Sequence, residues 1–289
     1  MTGLAVVYQP GEERPFHADL VELAAAVANQ AAIAIRVSQA YEHERNVAET
    51  LQRSFMPTVG ARLRNFDVGQ TYHPALQEAQ VGGDFYDLFP LPDGRIALLM
   101  ADVSGKGLPA AMQTAMVKYM LRAYAVEESS PSSVLERLNR GVCAFIDPDL
   151  FITAFYALLY PDTGQLEYGN AGHDSPILAL KEHGYCTSLD VTGPALGLDP
   201  MVTYFARTLC LAPGDLLLLY TDGIINATRR GELFGRERLE HLLTQLAARK
   251  PNRIVSQIYR TVRAFAAGNL QDDCALLALK AKEDGAHRN

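Results

Sequence analysis

Acidic residues recur beside glycine at four places in this chain. They are Val81-Gly82-Gly83-Asp84-Phe85-Tyr86-Asp87, Ala101-Asp102-Val103-Ser104-Gly105-Lys106-Gly107, Tyr220-Thr221-Asp222-Gly223 and Gln271-Asp272-Asp273-Cys274. Asp102 follows the apolar run IALLM, Asp222 follows LLLLY, and Asp272 precedes CALLAL. A carboxylate at the end of a buried strand is costly unless it is paired or bound to a cation. Few basic residues neighbour these four segments, which implies cations, and ligation by oxygen alone selects Mg²⁺ or Mn²⁺ over zinc. The flanking glycines let backbone carbonyls and water come close. Taken singly, an Asp-Gly pair is a turn. Taken together, the four segments read as a metal centre.

Other catalytic patterns are weaker. Around Lys106 the phosphate-loop pattern GxxxxGK[ST] fails, because Met100 and Gly107 stand at the required positions. There is no GxSxG elbow, and His43-Glu44 lacks the second histidine of HExxH. His173 follows a tight glycine turn and reads first as structural, since an oxygen-ligated centre needs no imidazole. The stretch Thr192–Leu198 reads as a Gly/Pro loop. The four cysteines (Cys143, Cys186, Cys210, Cys274) are far apart and form no CxxC pair, so each reads as a small buried hydrophobe.

The elements that must position the acids follow from pattern. Leu4–Tyr8 predicts a short strand. Residues Asp19 to about Phe55 lack Pro and Gly and predict one long helix. Its apolar positions Leu20, Val27, Ala34, Tyr41, Ala48 and Phe55 step by seven, a seam for a partner helix that Gln30 and Glu44 interrupt on its second row. Beyond Met56-Pro57 the character becomes strand-like. Residues 84–91 and 95–103 flank Pro92-Asp93-Gly94 as a hairpin. Helices are expected at Pro109–Tyr124 and Ser132–Phe145, the second capped by Ser130 with Pro131 in its first turn. Strands follow at Phe151–Tyr160, Gln165–Gly169, Pro176–Leu180, Val202–Leu211 and Leu216–Tyr220. Helices Arg236–Ala248 and Asn252–Ala267 precede a last strand, Cys274–Leu279. Hairpins with helix pairs between them argue an α+β fold with mostly antiparallel sheets.

The set GGDFYD, ADVSGKG, NAGH (Asn170 to His173), YTDG and the late Asp-Asp, in this order and spacing, resembles the metal-dependent serine/threonine phosphatase (PPM) family, in its bacterial SpoIIE/RsbU-like branch. The resemblance covers about Leu51 to Lys280. It implies two stacked, mostly antiparallel β-sheets flanked by helices, a PPM sandwich with a two-metal centre between the sheets. It implies that Asp102 bridges both ions, that the Val103 carbonyl binds one, that Asp222 and Asp272 ligate directly, and that Asp84 acts directly or through water. Asp273 stands beside Asp272, and the motif leaves open which of the two is the direct ligand. Ala275 replaces the usual threonine of the last motif, and Val103 replaces a frequent glycine; neither removes a ligand. Leu4–Tyr8 with LVELAAAVANQAAIAI is similar to the end of a GAF sensor domain. The organisation so implied is a GAF remnant over 1–38, a linker helix over 39–57, a phosphatase domain over 58–281 and a disordered tail over 282–289. The chain would then be a piece of a longer sensor-phosphatase.

The chain has 289 residues, with 26 basic against 33 acidic side chains and a formal net charge of −7. That excess gives no footing for a nucleic-acid backbone or an anionic membrane. No run approaches roughly 18 consecutive apolar residues, so no membrane span is expected, and without a signal peptide the protein is expected to be cytoplasmic. The expected activity is hydrolysis of phosphoserine or phosphothreonine on a partner protein by a hydroxide bridging two Mn²⁺ or Mg²⁺ ions, with no catalytic side chain beyond the metal-bound water. By the resemblance, the partner is a phosphorylated anti-sigma-factor antagonist. A homodimer through the N-terminal helix is also expected. The contrasting reading is a non-catalytic PPM-like binding module; a metal-dependent cyclase or phosphodiesterase would need purine-selective residues that the sequence does not offer.

Overall fold

The computed structural model describes residues 18–55, 63–74, 83–105, 108–147 and 149–283, with the side chains of 44–46, 48–55 and 108 outside that description. The expected strand at Leu4–Tyr8 and the expected tail beyond residue 283 lie outside it. A long helix α1 (Ala18–Phe55) comes first. The strands are β1 (Phe66–His73), β2 (Phe85–Pro90), β3 (Ile96–Val103), β4 (Ile152–Leu159), β5 (Gln165–Ala171), β6 (Ile177–Leu180), β7 (Tyr185–Ser188), β8 (Arg207–Cys210), β9 (Leu216–Tyr220), the short pair β10 (Thr228–Arg229) and β11 (Glu232–Leu233), and β12 (Cys274–Ala281). The remaining helices are α2 (Leu108–Glu127), α3 (Pro131–Phe145), a single turn α4 (Asp222–Ile225), α5 (Arg236–Leu246) and α6 (Pro251–Phe265).

Two five-stranded sheets result, one in the order β1-β12-β9-β6-β7 and the other β2-β3-β4-β5-β8. Every ladder between these strands is antiparallel. The sheets face each other, and each buries its outer face under a helix pair. Leu98, Met100 and Phe155 meet Leu217, Leu219, Leu277 and Leu279 between the sheets. Leu99 and Tyr156 lie on the other face with Val117, Leu121, Leu135 and Leu138 of α2 and α3. Leu216, Leu218 and Leu276 pack on Leu239, Ile254, Ile258 and Val262 of α5 and α6. This explains LLLLY and CALLAL, which do not alternate with polar residues: both faces of these strands are covered. Each fully buried leucine contributes ~2 kcal/mol of transfer free energy. Many such residues support the few acids considered below.

The β2–β3 hairpin turns where expected, with the Gly94 amide donating to the Leu91 carbonyl at 3.1 Å and Gly94 at φ +88°. Two expectations need correction. Ser130 precedes α3, but its hydroxyl bonds the Ser132 hydroxyl at 2.8 Å instead of capping the helix. The strand expected over 202–211 is confined to Arg207–Cys210, because Val202, Tyr204 and Phe205 donate to Asp199, Glu136 and Thr192 instead of to a strand. The strand expected at Pro176–Leu180 is β6, while its hairpin partner β7, the short pair β10 and β11 and the turn α4 carry little pattern and are additional.

The long helix is present as expected. Its described side chains are almost all exposed, and its apolar residues lie on several sides: Leu20, Val21, Leu23, Val27, Ile33, Ile35 and Val37 are each at least 46% exposed. By length and composition Ala18–His43 could also cross a membrane. The absence of an unbroken apolar run therefore does not exclude a span here, because scattered polar residues are tolerated within such a helix.

Candidate functional site

Strand alternation decides which acids meet. On β2, Tyr86 and Leu88 face the other sheet, so Asp84 falls on the same face. On β3, Leu98 and Met100 set the parity that brings Asp102 there. The hairpin register pairs Phe85 with Ala101, so the next pair outward is Asp84 with Asp102, and the Val103 amide donates to the Gly83 carbonyl at 3.2 Å. Val103 buries its side chain under α2 and α3, leaving its backbone carbonyl as its contribution. In the opposite sheet Leu277 and Ala275 face inward, which puts Asp273 on that face and turns Cys274 away. The Thr221 amide donates to the Ala275 carbonyl and the Ala275 amide to Thr221 Oγ1, at 3.2 and 3.0 Å. These bonds fix the Asp222 turn against the Asp272-Asp273 turn.

The glycines are required by contact. A Cβ on Gly83 would lie 1.9 Å from the Val103 carbonyl oxygen, and one on Gly223 would lie 1.9 Å from the Asp273 carbonyl oxygen. The two acidic loops within each sheet are pressed backbone to backbone, which any side chain would prevent.

The acids repel one another. Burial pushes the Asp84 carboxyl well above its ordinary range, with Asp102, Asp273 and Asp222 adding to the effect and a Thr221 hydrogen bond opposing it. Asp102 is raised to about 6, by burial first and then by Asp222, while a hydrogen bond from Asp84 opposes the rise. The Cys274 thiol is pushed up to about 12 by burial and the surrounding acids, so it stays a neutral hydrophobe. Sequence reasoning missed Asp174. It directly follows NAGH and is raised to about 6 by burial and by Asp222, against the pull of Arg236. One more acid immediately after a strand-end motif was the available signal.

Not all of the named acids play one part. Asp87, in the same GGDFYD segment, faces α2 and is fully buried between Arg122, with two contacts of 2.7 and 3.0 Å, and Lys118 at 3.6 Å. It fastens helix to sheet. Asp273 is buried and accepts a hydrogen bond from the Tyr72 hydroxyl of β1, whereas Asp272 sits half-exposed at the rim and accepts the Asp273 amide at 3.0 Å. Asp222 accepts Asn226 Nδ2 at 3.0 Å. His173 is buried and neutral, its pKa lowered to about 4 by burial, with Nδ1 2.9 Å from the Thr153 hydroxyl. Asn170 brackets that turn by bonding both the amide and the carbonyl of His173. The Thr192–Leu198 loop is strapped beside the site, Leu196 bridging Ile152, the partner of Val103. Lys106, Gly107, Val81 and Gly82 lie outside the described residues.

Among the described residues, no three of Asp, Glu, His or Cys stand as one ready cation-binding set. The donor chemistry nonetheless fits a hard divalent cation. Asp84 Oδ2 is buried with no hydrogen-bond partner, and its neighbours are carboxylates that repel it. Positive charge is what this cluster lacks.

A family model described as stage II sporulation protein E (SpoIIE) matches residues 92–282. The chain belongs to the SpoIIE family. It is a serine/threonine phosphatase of the PP2C type. The chain is 29% identical over 246 residues to the phosphoserine phosphatase RsbU of Bacillus subtilis, covering 85% of itself and 72% of that protein. It superposes on the RsbU and RsbW domains of a Mycobacterium tuberculosis protein with a TM-score of 0.66 at 26% identity, over 75% of this chain and 60% of that one. The SiaA-PP2C domain of Pseudomonas aeruginosa superposes with a TM-score of 0.70 at 20% identity, over 86% and 98%. The two-sheet α+β architecture expected of a SpoIIE-family phosphatase is the one observed.

The raised acids predict an effect of pH on the metal-stripped protein. A carboxyl whose folded pKa lies above its unfolded value favours folding below about pH 4, and that contribution is lost as pH rises through the folded pKa, about 6 for Asp102. In chelator, Asp102→Asn should therefore stabilise the protein by about 2 kcal/mol at pH 7.5, about 5 °C in Tm, and by little at pH 4. Thermal melts at both pH values check this, and equal Tm values at pH 7.5 would refute the crowding.

Proposed function

We propose that this cluster holds two divalent cations, Mn²⁺ or Mg²⁺, and hydrolyses phosphoserine or phosphothreonine on a partner protein of the anti-sigma-factor-antagonist type. The observation that carries the reading is the convergence of Asp84, Asp102, Asp222 and Asp273 at one end of the space between the sheets. Asp84, Asp102, Asp222, Asp272 and the Val103 carbonyl would be ligands, with Asp273 sharing in ligation because it, and not Asp272, occupies the inward face. The bound ions would supply positive charge against the phosphoryl oxygens and activate the attacking water. The chain's own residues position. Thr221 ties the Asp222 turn to β12, Tyr72 holds Asp273, and Asn170 locks the turn that carries His173 and Asp174. The Thr221 hydroxyl is engaged with the Ala275 amide and Asp84, and His173 is neutral and buried, so neither is an activated nucleophile and water takes that part.

Asp102→Asn keeps shape but removes a charge that would help hold the ions, and should lower Mn²⁺-dependent phosphoprotein hydrolysis by at least ~100-fold, about 3 kcal/mol of transition-state stabilisation. Steady-state kinetics with Mn²⁺ and then chelator check it. Full Mn²⁺-dependent turnover by Asp102→Asn would refute the assignment.

We also read residues 1–38 as the end of a GAF-like sensor, 39–57 as a linker helix and 58–281 as the catalytic domain, in a cytoplasmic homodimer joined through α1. The support is the exposure of Leu20, Val27 and Tyr41, at 46, 61 and 45%, along one seven-residue step. Sedimentation at micromolar concentration should give a dimer, and Leu20→Asp with Val27→Asp should give a monomer. A monomeric wild type, or a protein recovered only in detergent, would contradict the dimer reading.

A further inference from the structure

On the outer face of the β1–β12 sheet, behind the carboxylate cluster, a cavity of about 600 Å³ opens between β1 and α6. Thr71 and His73 line it from the strand, and Ser256, Tyr259, Arg260 and Arg263 from the helix. The rings of His73 and Tyr259 stack at 3.5 Å and 8°, and the Thr71 hydroxyl lies 2.8 Å from His73 Nε2, so the floor is rigid. Among the described residues its lining contains no carboxylate. Arg260 and Arg263 are exposed, and among the described residues neither pairs with an acid.

The helix is unusual for this chain. Pro251–Phe265 carries Arg253, Arg260 and Arg263 and no acidic residue, in a protein of net charge −7. Arg253, Ser256, Arg260 and Arg263 follow one another at spacings of three and four, so they share the face that α6 turns away from the core, whose own contacts are Ile254, Ile258 and Val262. Cations held without partners on one face, over a hollow with hydroxyl donors, are built for oxyanions.

The position says whose oxyanions. β1 is an edge strand, and its last residues face both ways: Tyr72 holds Asp273 inside the sandwich, and His73 lines the hollow outside. A chain whose phosphorylated residue lies at the carboxylates needs only to pass the end of β1 to lay its next residues over Arg260 and Arg263. We propose that this groove is a docking subsite for an acidic segment of the protein substrate, flanking the residue to be dephosphorylated. The inference rests on the phosphatase reading above and adds to it a charge preference for the substrate. A hollow of this size takes a few side chains, which favours a peptide over the broad contact of a nucleic acid or a membrane.

The test uses the full chain with Mn²⁺, two phosphoserine peptides that differ only in an Asp/Glu tract or its Asn/Gln equivalent, and the variant Arg260→Glu with Arg263→Glu. The wild type should favour the acidic peptide by about tenfold in kcat/KM at low salt, through KM and not kcat, and lose the preference at high salt. The variant should lose it at every salt concentration, while hydrolysis of p-nitrophenyl phosphate, which has no flanking segment, is unchanged. Fluorescence anisotropy of the labelled acidic peptide should show the same tenfold loss of binding without any need for turnover. Arg260→Lys with Arg263→Lys, which keeps the charge, should retain most of the preference. Equal handling of both peptides by the wild type, or a preference that survives charge reversal, would overturn the docking site. So would loss in the variant of binding to an oligonucleotide or anionic vesicles with no peptide preference. If the wild type hydrolyses neither peptide nor p-nitrophenyl phosphate, the phosphatase reading fails, and the anisotropy result still decides the groove.

Discussion

Several carboxylates are held within mutual repulsion at a water-poor end of a protein interior. The fold must hold them there against their own electrostatics, since burial raises Asp84 and Asp102 and the charges of Asp222 and Asp273 raise both further. Among the described residues no basic side chain pairs with Asp84 or Asp102: Arg122 and Lys118 hold Asp87 on the far side of β2, and Arg236 pairs with Glu240 and pulls on Asp174. What remains is an anionic pocket whose natural complement is a hard cation.

The scaffold can hold that arrangement because the acids sit at the ends of strands that are buried on both faces. β3, β9 and β12 are clamped between a facing sheet and a helix layer, so their ends have little freedom. The close approaches of Gly83 to Val103 and of Gly223 to Asp273 then fix the loops relative to each other within each sheet. The site is an intersheet site: neither sheet alone supplies more than part of the acid set. The same edge strand that supplies Tyr72 to the inside supplies His73 to the outside, which links the chemistry to a surface groove through adjacent residues.

Most of this was legible in the chain. Apolar runs ending in Asp, with glycine beside them, marked the strand ends, and strand parity counted from Leu98 or Leu277 leads to Asp102 or Asp273 on the inward face. Parity carried to Asp273 separates it from Asp272, a distinction the motif order alone leaves open. Asp174 was hidden because its environment depends on Asp222, some fifty residues away in sequence but adjacent across the fold. Ser130 illustrates the opposite failure: a residue type that favours a cap found a better partner in Ser132. The basic face of α6 was present in the sequence as arginines three and seven apart, but its meaning came from the strand packed against it.

Whether the acid cluster is a cation site can be measured without any substrate. Calorimetric titration of Mn²⁺ into the metal-stripped chain at pH 7.5 should show saturable binding of two ions per chain, reversed by chelator. In Asp102→Asn the affinity should fall by at least ~100-fold, as expected when a ligand carboxylate is removed from the proposed site. Binding that does not saturate, or a variant that takes up two ions with wild-type affinity, would contradict the account.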